Sequence, residues 1–503
     1  MKFFPGRLAA MFTLALFTTL VQATPPSTKL FASHFDNVLG TSLDLKIAAP
    51  TEAAADKAEA AVMKEISRMA SILSAYDANS EFSKWLRTYN EPVKVSAELF
   101  EVLSLFDQWR QRSTGALNAS AEVVNRLWKQ AATQQRLPST RELAVAVEAA
   151  GSQHWKLDAA NQTATHLSKT PLALNSFAKS YIINRAADAA LNAAGTSAVV
   201  VNIGGDIVVR GSLTETVSVT DPKADTENDD PVASLLISNK AVATSGNYRR
   251  GVQIGNNWYS HIVDPRSGQP AGNIISATVV ASNATDAGAL ATAFNVLTPE
   301  ESKALAAGLP DVEYLLITKD GERIESAGWN ALETGREHIT VTAPPAANQW
   351  DTNYELIVNL EVSVIEGRAR RPFIAVWIED SNNKPVRNLV VWYNRDRWLP
   401  DLKTWYRHYG QSIGVEGSII GSTSSATRPP GKYALKWDGK DDKGNLVKPG
   451  KYSVHIEAAR EHGTYQVMTE EMEFNSKPKQ ITLTGNVEIA SASLDYRKKP
   501  SGK

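Results

Sequence analysis

The chain has 503 residues, more than one hydrophobic core accommodates, since single cores stop growing near about 250–300 residues, so two or more domains are expected. Hydrophobic residues at 43% and charged residues at 21% are the balance of an ordinary globular protein. Lys and Arg number 53 against 54 Asp and Glu, a net charge of -1, and without a concentrated basic face nucleic acid is excluded as a partner.

Lys2 and Arg7 flank the start of an apolar run from Leu8 to Val21, and Val21-Gln22-Ala23 has the small residues of a leader-peptidase site. The run is shorter than the roughly 20 residues that span a bilayer, so residues 1–23 read as a signal peptide cleaved after Ala23. No later segment is apolar for long enough to span, which implies no transmembrane segment after signal removal. The absence of cysteine excludes a lipidated cysteine anchor, disulfides and thiolate metal sites together. The mature protein is expected to be soluble and, in a Gram-negative cell, periplasmic.

Phe31 to Ile47 ends in period-two alternation and reads as one strand with Gly40 inside it. Thr51 to Leu73 has apolar residues at three and four residue spacing, a helix with Thr51 and Glu52 at its start. Further helices are predicted from Ser96 to Arg112, from Ser139, whose Ser-Thr-Arg-Glu pattern is a capping box, and from Ala178 to Ala194. Ala198 to Ile203 is a β-rich run leading into Gly204-Gly205-Asp206, short strands follow, and Asp286 to Val296 reads as one more helix. This interleaving predicts an α+β domain over 30–335. Ala343-Pro344-Pro345 marks a linker at 336–350. Beyond it, short β-rich runs such as Tyr354 to Val364, Phe373 to Ile378, Tyr452 to Ala458 and Tyr465 to Phe474 alternate with turn residues. They predict an all-β sandwich over 351–485, followed by a polar tail at 486–503.

Several residues invite chemistry. Gly204 and Gly205 follow an apolar strand, where they form an ordinary tight turn or let a ligand approach the backbone. His261 follows Trp258-Tyr259 and precedes Asp264-Pro265, which places it on a strand just before a turn, held by backbone carbonyls or moving a proton. No His-x-x-x-His spacing exists, so zinc has little support. Tyr76 offers a flat stacking surface or a half-buried core ring. Trp437 to Gly444 is acidic but lacks the ligand spacing of an EF-hand loop and reads as a hairpin turn. Trp392, Tyr393, Trp398, Trp405 and Tyr406 form either a ligand face or the sandwich core.

Four segments carry a resemblance: Ser74-Ala75-Tyr76-Asp77 with Ser80-Glu81; Ala178-Lys179-Ser180-Tyr181; Asn202-Ile203-Gly204-Gly205-Asp206; and Thr244-Ser245-Gly246 followed by His261-Ile262-Val263-Asp264-Pro265-Arg266-Ser267-Gly268. In order and spacing, over Leu39 to Val296, they resemble the FAD:protein FMN transferase (ApbE-type) family. The resemblance implies transfer of FMN from FAD to a threonine of an exported electron-transfer protein, using Mg²⁺ and releasing AMP. It places Leu39, Tyr76, Ala116, Leu117, Asn118, Ala173, Lys179, Gly204 and Gly205 at the flavin nucleotide, with Lys179 at the FAD phosphate and His261 near the flavin as a proton carrier. The Ser176 carbonyl and Thr292 become the Mg²⁺ ligands. Attack by a hydroxyl on a pyrophosphate needs neutralised phosphates, in-line positioning and a base, which a cation, a lysine, glycine-turn amides and a histidine supply.

The chain departs from the family at several of these positions. Leu39 replaces methionine, Gly115-Ala116-Leu117-Asn118 stands for Gly-x-Phe-Asp, and Ala173 replaces an aspartate that holds the flavin nucleotide. Gly288-Ala289-Leu290-Ala291-Thr292 stands for Asp-Ala-Leu-Ala-Thr, so the threonine ligand remains and the aspartate ligand is Gly288. Asp286 lies about 200° away around the helix and does not take its place. The alternative function is therefore a catalytically weakened flavin-binding or partner-presenting module. The C-terminal part, through Ser425 to Gly431, Trp437-Asp438-Gly439 and Lys448 to Tyr452, resembles a periplasmic domain of unknown function. Ser424-Ser425-Ala426-Thr427 is similar to the end of a family acceptor motif, or is a polar loop, since Gly421 stands where an acid is expected.

Overall fold

The computed structural model describes residues 28–248, 250–334, 349–365, 370–412 and 424–500. The signal peptide expected at 1–23 and the proline-rich part of the expected linker lie outside the described residues.

An eight-stranded sheet organises the first part of the chain. Its strands are β1 (Lys29–Val38), β2 (Thr41–Ala49), β3 (Ala198–Ile203), β4 (Asp206–Gly211), β5 (Ala241–Gly246), β6 (Ile274–Ala281), β7 (Glu313–Thr318) and β8 (Arg323–Glu325), adjacent in that order. Every neighbouring pair is antiparallel. Around it stand helices α1 (Glu52–Leu73), α2 (Ala97–Arg112), α3 (Ala121–Thr133), α4 (Thr140–Gly151), α5 (Ala178–Leu191) and α6 (Ala284–Val296). Side-chain alternation decides what each face of the sheet meets. Leu43, Leu45 and Ile47 of β2 and Val199 and Val201 of β3 join the core under α1, α5 and α6. The alternate set, including Ala48, Val200, Val209, Val242 and Leu315, packs with Trp329 and a small sheet of Glu215–Val219, Ala233–Ile237 and Glu333–Thr334. Both faces are thus covered, at about 1.5–3 kcal/mol for each fully buried Val, Leu or Ile. The helix α6 is buried nearly all round, and its Ala and Gly residues let it lie close to β5, β6 and α5.

The helix starts follow their caps. Thr51, Ser96 and Asn283 accept a first-turn N–H of α1, α2 and α6, and Ser139 and Glu142 close the predicted capping box of α4. Three expectations are corrected. Phe31 to Ile47 is a hairpin and not one strand, because Leu39 and Gly40 take positive φ, 51° and 80°, and reverse the chain in two residues. Alternation persists in both arms, so periodicity does not register the reversal. His261 lies just past the strand Asn257–Ser260 rather than on it. The polar tail contains β16, described below.

The second part is a sandwich of β9 (Tyr354–Val362), β10 (Phe373–Asp380), β11 (Pro385–Trp392), β12 (Gly431–Trp437), β13 (Gly450–Ala459), β14 (Tyr465–Phe474), β15 (Lys479–Leu483) and β16 (Ile489–Lys498). One sheet runs β12-β9-β16-β15, and the other runs Ser424–Ser425, β11, β10, β13, β14. Trp350, Leu356, Val376, Trp437, Phe474 and Tyr496 fill the space between them. β16 lies inside its sheet, between β9 and β15, with Ala492, Leu494 and Tyr496 buried. Ser491, Ser493, Asp495 and Arg497 alternate with them and give the segment the polar look of a tail.

Trp392, Tyr393 and Trp405 are buried core residues, with Trp398 and Tyr406 packed beside the outer cluster under the helix Lys403–Tyr409, so these rings are packing and not a ligand face. The acidic Trp437–Gly444 turn closes on itself: Asp441 accepts the Lys443 and Asn445 N–H groups, and Asp438 pairs with Lys440.

Candidate functional site

Two hairpin tips emerge at one end of the main sheet. Leu43 pairs with Ile203, so the Leu39–Gly40 turn and the Gly204–Gly205 turn lie side by side. Gly204 N–H donates to the Ser42 carbonyl at 3.2 Å, and a Cβ on Gly204 would stand 2.7 Å from Thr41 Cγ2, so only glycine fits this approach. Gly205 has φ of 92°, donates its N–H to Asn202 Oδ1 at 3.0 Å and faces open space.

Immediately after this turn, Asp206 is buried and receives two side chains from the first turn of α5. Lys179 Nζ lies 3.1 Å from its Oδ2, and Ser180 Oγ donates to the same oxygen at 2.9 Å. Burial pushes the Asp206 carboxyl up, while Lys179 and Ser180 pull it down. No side chain caps the N-terminus of α5. A third of Lys179 remains in water, so the ammonium reaches from a buried anion toward the surface beside the glycine turn.

Ser176 precedes α5, and its carbonyl accepts the Thr292 hydroxyl at 2.9 Å. The two oxygens expected to hold Mg²⁺ therefore meet, at the separation of about 3 Å that neighbouring ligands have on an octahedral ion with bonds of about 2.0–2.1 Å. At Gly288, one turn before Thr292, a Cβ would collide with Ser180 Oγ and stand 2.8 Å from Ser180 Cβ. Ser180 thus fills the volume a side chain at 288 would enter and connects it to Asp206. Among the described residues no group of three or more His, Asp or Glu side chains is arranged to hold an ion; Thr292 and the Ser176 carbonyl are the oxygens that could contribute to one here.

Tyr76 is 86% exposed, which removes the half-buried core reading, and its hydroxyl accepts from Asn175 Nδ2 at 3.0 Å, next to Ser176. Ala173 N–H donates to the Ala119 carbonyl at 2.9 Å, which joins the 116–119 segment to the same stretch. Ala116, Leu117 and Asn118 are buried, and Asn118 donates through Nδ2 to the Ala150 carbonyl and accepts the Ser120 hydroxyl and N–H at Oδ1. Leu39 packs partly against the core from its turn.

His261 is anchored to Arg250, whose carbonyl faces both its N–H and its Nδ1, the latter at 2.9 Å. A carbonyl only accepts, so Nδ1 carries the proton and Nε2 of the neutral ring is the basic nitrogen. Burial, opposed by that carbonyl, lowers the His261 pKa below its ordinary 6.5. The following Asp264-Pro265-Arg266 turn is fixed by Arg266, which pairs with Asp264 and with Glu301 and packs its stem over Gly115.

The structure thus gathers Gly204, Gly205, Lys179, Ser176, Thr292 and Tyr76 around the start of α5. Ala116–Asn118 and Ala173 join them through the backbone, and His261 stands on its own anchor. Sequence reasoning assigned no role to Asp206 or Ser180. The available signal was a polar residue inside the first turn of a helix next to a Gly-Gly-Asp turn. A hollow of about 750 Å³ between α3 and α4, lined by Val123, Arg126, Leu127, Arg141 and Val145 among others, contains none of these residues.

Comparison with known proteins supplies the family. The ApbE family model matches residues 39–316, and that of a predicted periplasmic protein (DUF2271) matches residues 355–491. An FAD:protein FMN transferase of Klebsiella pneumoniae is 26% identical over 316 residues, 61% of this chain and 96% of that protein. One from Vibrio cholerae is 27% identical over 258 residues, 50% of this chain and 76% of its own length. Among solved structures, the ApbE protein of Thermotoga maritima aligns with a TM-score of 0.54 at 25% identity, over 61% of this chain and all of the other. The flavinyl transferase ApbE of Pseudomonas stutzeri, at 21% identity and a TM-score of 0.51, covers 61% of this chain and 97% of its own and supports the fold. Its N-terminal α+β part, more than half of its length, makes this chain a member of the ApbE family, whose curated relatives are FAD:protein FMN transferases, and a β-sandwich of the DUF2271 type follows it.

Proposed function

We propose that this chain transfers FMN from FAD to a threonine hydroxyl of an exported electron-transfer protein, in the periplasm and with Mg²⁺. The observation that carries this reading is the cluster at the start of α5, where Lys179, the Gly204–Gly205 turn and the Ser176–Thr292 oxygen pair converge. The threonine Oγ attacks the FMN phosphorus, the P–O bond to the bridging oxygen breaks, and AMP leaves with that oxygen. The uncapped N-terminus of α5 receives phosphate oxygens, the Gly204–Gly205 turn, without side chains, lets them approach, and Lys179 neutralises their charge. His261 Nε2 takes the hydroxyl proton. Mg²⁺, when bound to Thr292 and the Ser176 carbonyl, neutralises the pyrophosphate.

One observation favours a second reading, a flavin binder without turnover: Ser180 occupies the space beside Gly288, so the cation site lacks a carboxylate from α6. Incubating the purified protein with FAD, Mg²⁺ and an acceptor domain bearing a threonyl flavinylation motif separates the two. An FMN-sized mass gain on the acceptor with AMP release is the expected result. Bound FAD without either product leaves the binder.

The base assignment has its own test. Because its pKa is lowered, His261 is neutral above the ordinary histidine value of 6.5 and becomes protonated only at more acid pH. Transfer is expected to hold steady from neutral pH down to that value and to fall on its acid side. His261→Asn should lose about 10²–10⁴-fold in rate and the acid limb together. An acid limb that survives in His261→Asn assigns the proton to another group.

A further inference from the structure

The sandwich is tied to the glycine turn by a continuous chain of hydrogen bonds. Its loop after β11 lies against β1 and β2, where the Ala426 N–H donates to Asp44 Oδ1 at 3.3 Å. The same oxygen is 2.7 Å from His34 Nδ1, and the other, Oδ2, accepts Asn202 Nδ2 at 3.2 Å. Asn202 in turn accepts the Gly205 N–H through Oδ1 at 3.0 Å. Between Ala426 and Gly205 the line enters Asp44 and Asn202 through one side-chain atom and leaves through another. Around this line the loop is locked. Thr427 Oγ1 donates to Asp36 Oδ2 at 2.5 Å, and Arg371 holds Asp36 Oδ1 at 2.7 Å. Arg428 reaches Glu227 at 3.1 Å and lies over the Trp392 ring. On the other side His34 packs its ring edge on Tyr393, and its N–H donates to the Asn394 carbonyl at 2.6 Å. Burial works to raise the Asp44 pKa, but His34, Arg428 and the Ala426 N–H overcome it and keep the carboxylate charged. Thr427 is 6% exposed and committed to Asp36, which makes it a tie between the two parts and not a presented acceptor hydroxyl.

We propose that Asp44 and Asn202 are positioning residues through which the sandwich loop Ala426–Arg428 holds the Gly204–Gly205 turn in the shape that receives the FAD pyrophosphate. The proposal rests on the reading of that turn as a nucleotide contact. It gives the second part of the chain a task in the first: the support of a flavin-binding turn from outside the α+β fold.

The test uses the full chain and hydrogen exchange, which needs neither turnover nor acceptor. In the wild type the Gly205 amide is expected to exchange as slowly as the paired amides of β3. Thr427→Val and Asn202→Ala should each speed exchange in the peptide spanning 203–206 and raise the FAD Kd by roughly fivefold, while Thr427→Ser restores both. Lys451→Ala, which removes an exposed ion pair between β13 and β14 at the opposite edge of the sheet that carries Ser424–Ser425, should change neither. A freely exchanging Gly205 amide in the wild type overturns the proposal, and so does unchanged exchange at 203–206 in Thr427→Val. Failure of the wild type to bind FAD at all would instead count against the functional reading, and the exchange result would stand apart from it.

Discussion

Lys179→Ala should abolish measurable FMN transfer and also cost stability, and the two effects separate. In the proposed transfer Lys179 would neutralise phosphate charge at the transition state, a role worth about a hundredfold or more in kcat. It is also the ion-pair partner of buried Asp206, at 3.1 Å. Removing one partner of a fully buried pair costs about 3–5 kcal/mol. Because a third of Lys179 is in solvent, the cost here is expected nearer about 1–3 kcal/mol. With the lysine gone, only Ser180 still opposes the burial that pushes the Asp206 carboxyl up, so the group takes a proton more readily. Lys179→Ala combined with Asp206→Asn should then recover much of the lost melting temperature and none of the transfer. Single-turnover AMP release beside thermal melting reads both quantities. Turnover of Lys179→Ala within twofold of the wild type would remove the lysine from the phosphate site. Stability unchanged in the single variant would show that Asp206 is not sustained by it.

The sequence carried the fold further than the site. The helices that start after Thr51, Ser96 and Ser139 were legible to within a few residues, because those caps precede long apolar periodicity, whereas Pro299–Ala307, too short to show a period, went unread despite its Thr298–Glu301 capping box. α3 went unread as well, since Ser120 makes no cap bond and nothing announces its first turn. Local pattern also hid β16, where alternating Ser, Asp and Arg masked a half-buried strand that only its place between β9 and β15 explains. In the site, the family resemblance pointed to Lys179, Gly204 and Thr292, yet their order along the chain says nothing of contacts across it. That Ser176 and Thr292 meet, 116 positions apart, follows from α5 and α6 packing together. The roles of Ser180 and Asp206 are visible only in three dimensions, because they depend on what lies opposite residue 288.

That dependence reverses the simple expectation for Gly288. From the sequence, Gly288→Asp restores a missing carboxylate to the helix face that carries Thr292, since residues four apart share a face, and tighter Mg²⁺ binding should result. The structure places Ser180 in the way. Rotation of the Ser180 hydroxyl would relieve one contact, but its Cβ, fixed to the backbone of α5, would still stand 2.8 Å from a Cβ at 288. Relief then requires α5 and α6 to move apart in a region where Ala287, Gly288, Ala289 and Ala291 are all buried, an overpacking cost of about 1–3 kcal/mol. Gly288→Asp alone is therefore expected to be less stable and to bind Mg²⁺ no better. Ser180→Gly with Gly288→Asp opens the volume, lets the new carboxylate point along the Thr292 face, and should both regain stability and tighten Mg²⁺ binding. Calorimetric titration of Mg²⁺ into the FAD-loaded protein, beside melting curves, measures this without relying on turnover. Thr292→Val should weaken Mg²⁺ in either background. A stable Gly288→Asp variant with improved Mg²⁺ affinity would show that α5 yields easily at Ser180. A double variant no tighter than the wild type would mean that residue 288 does not face the cation, and that the ion is held by Thr292, the Ser176 carbonyl and the phosphates of FAD alone.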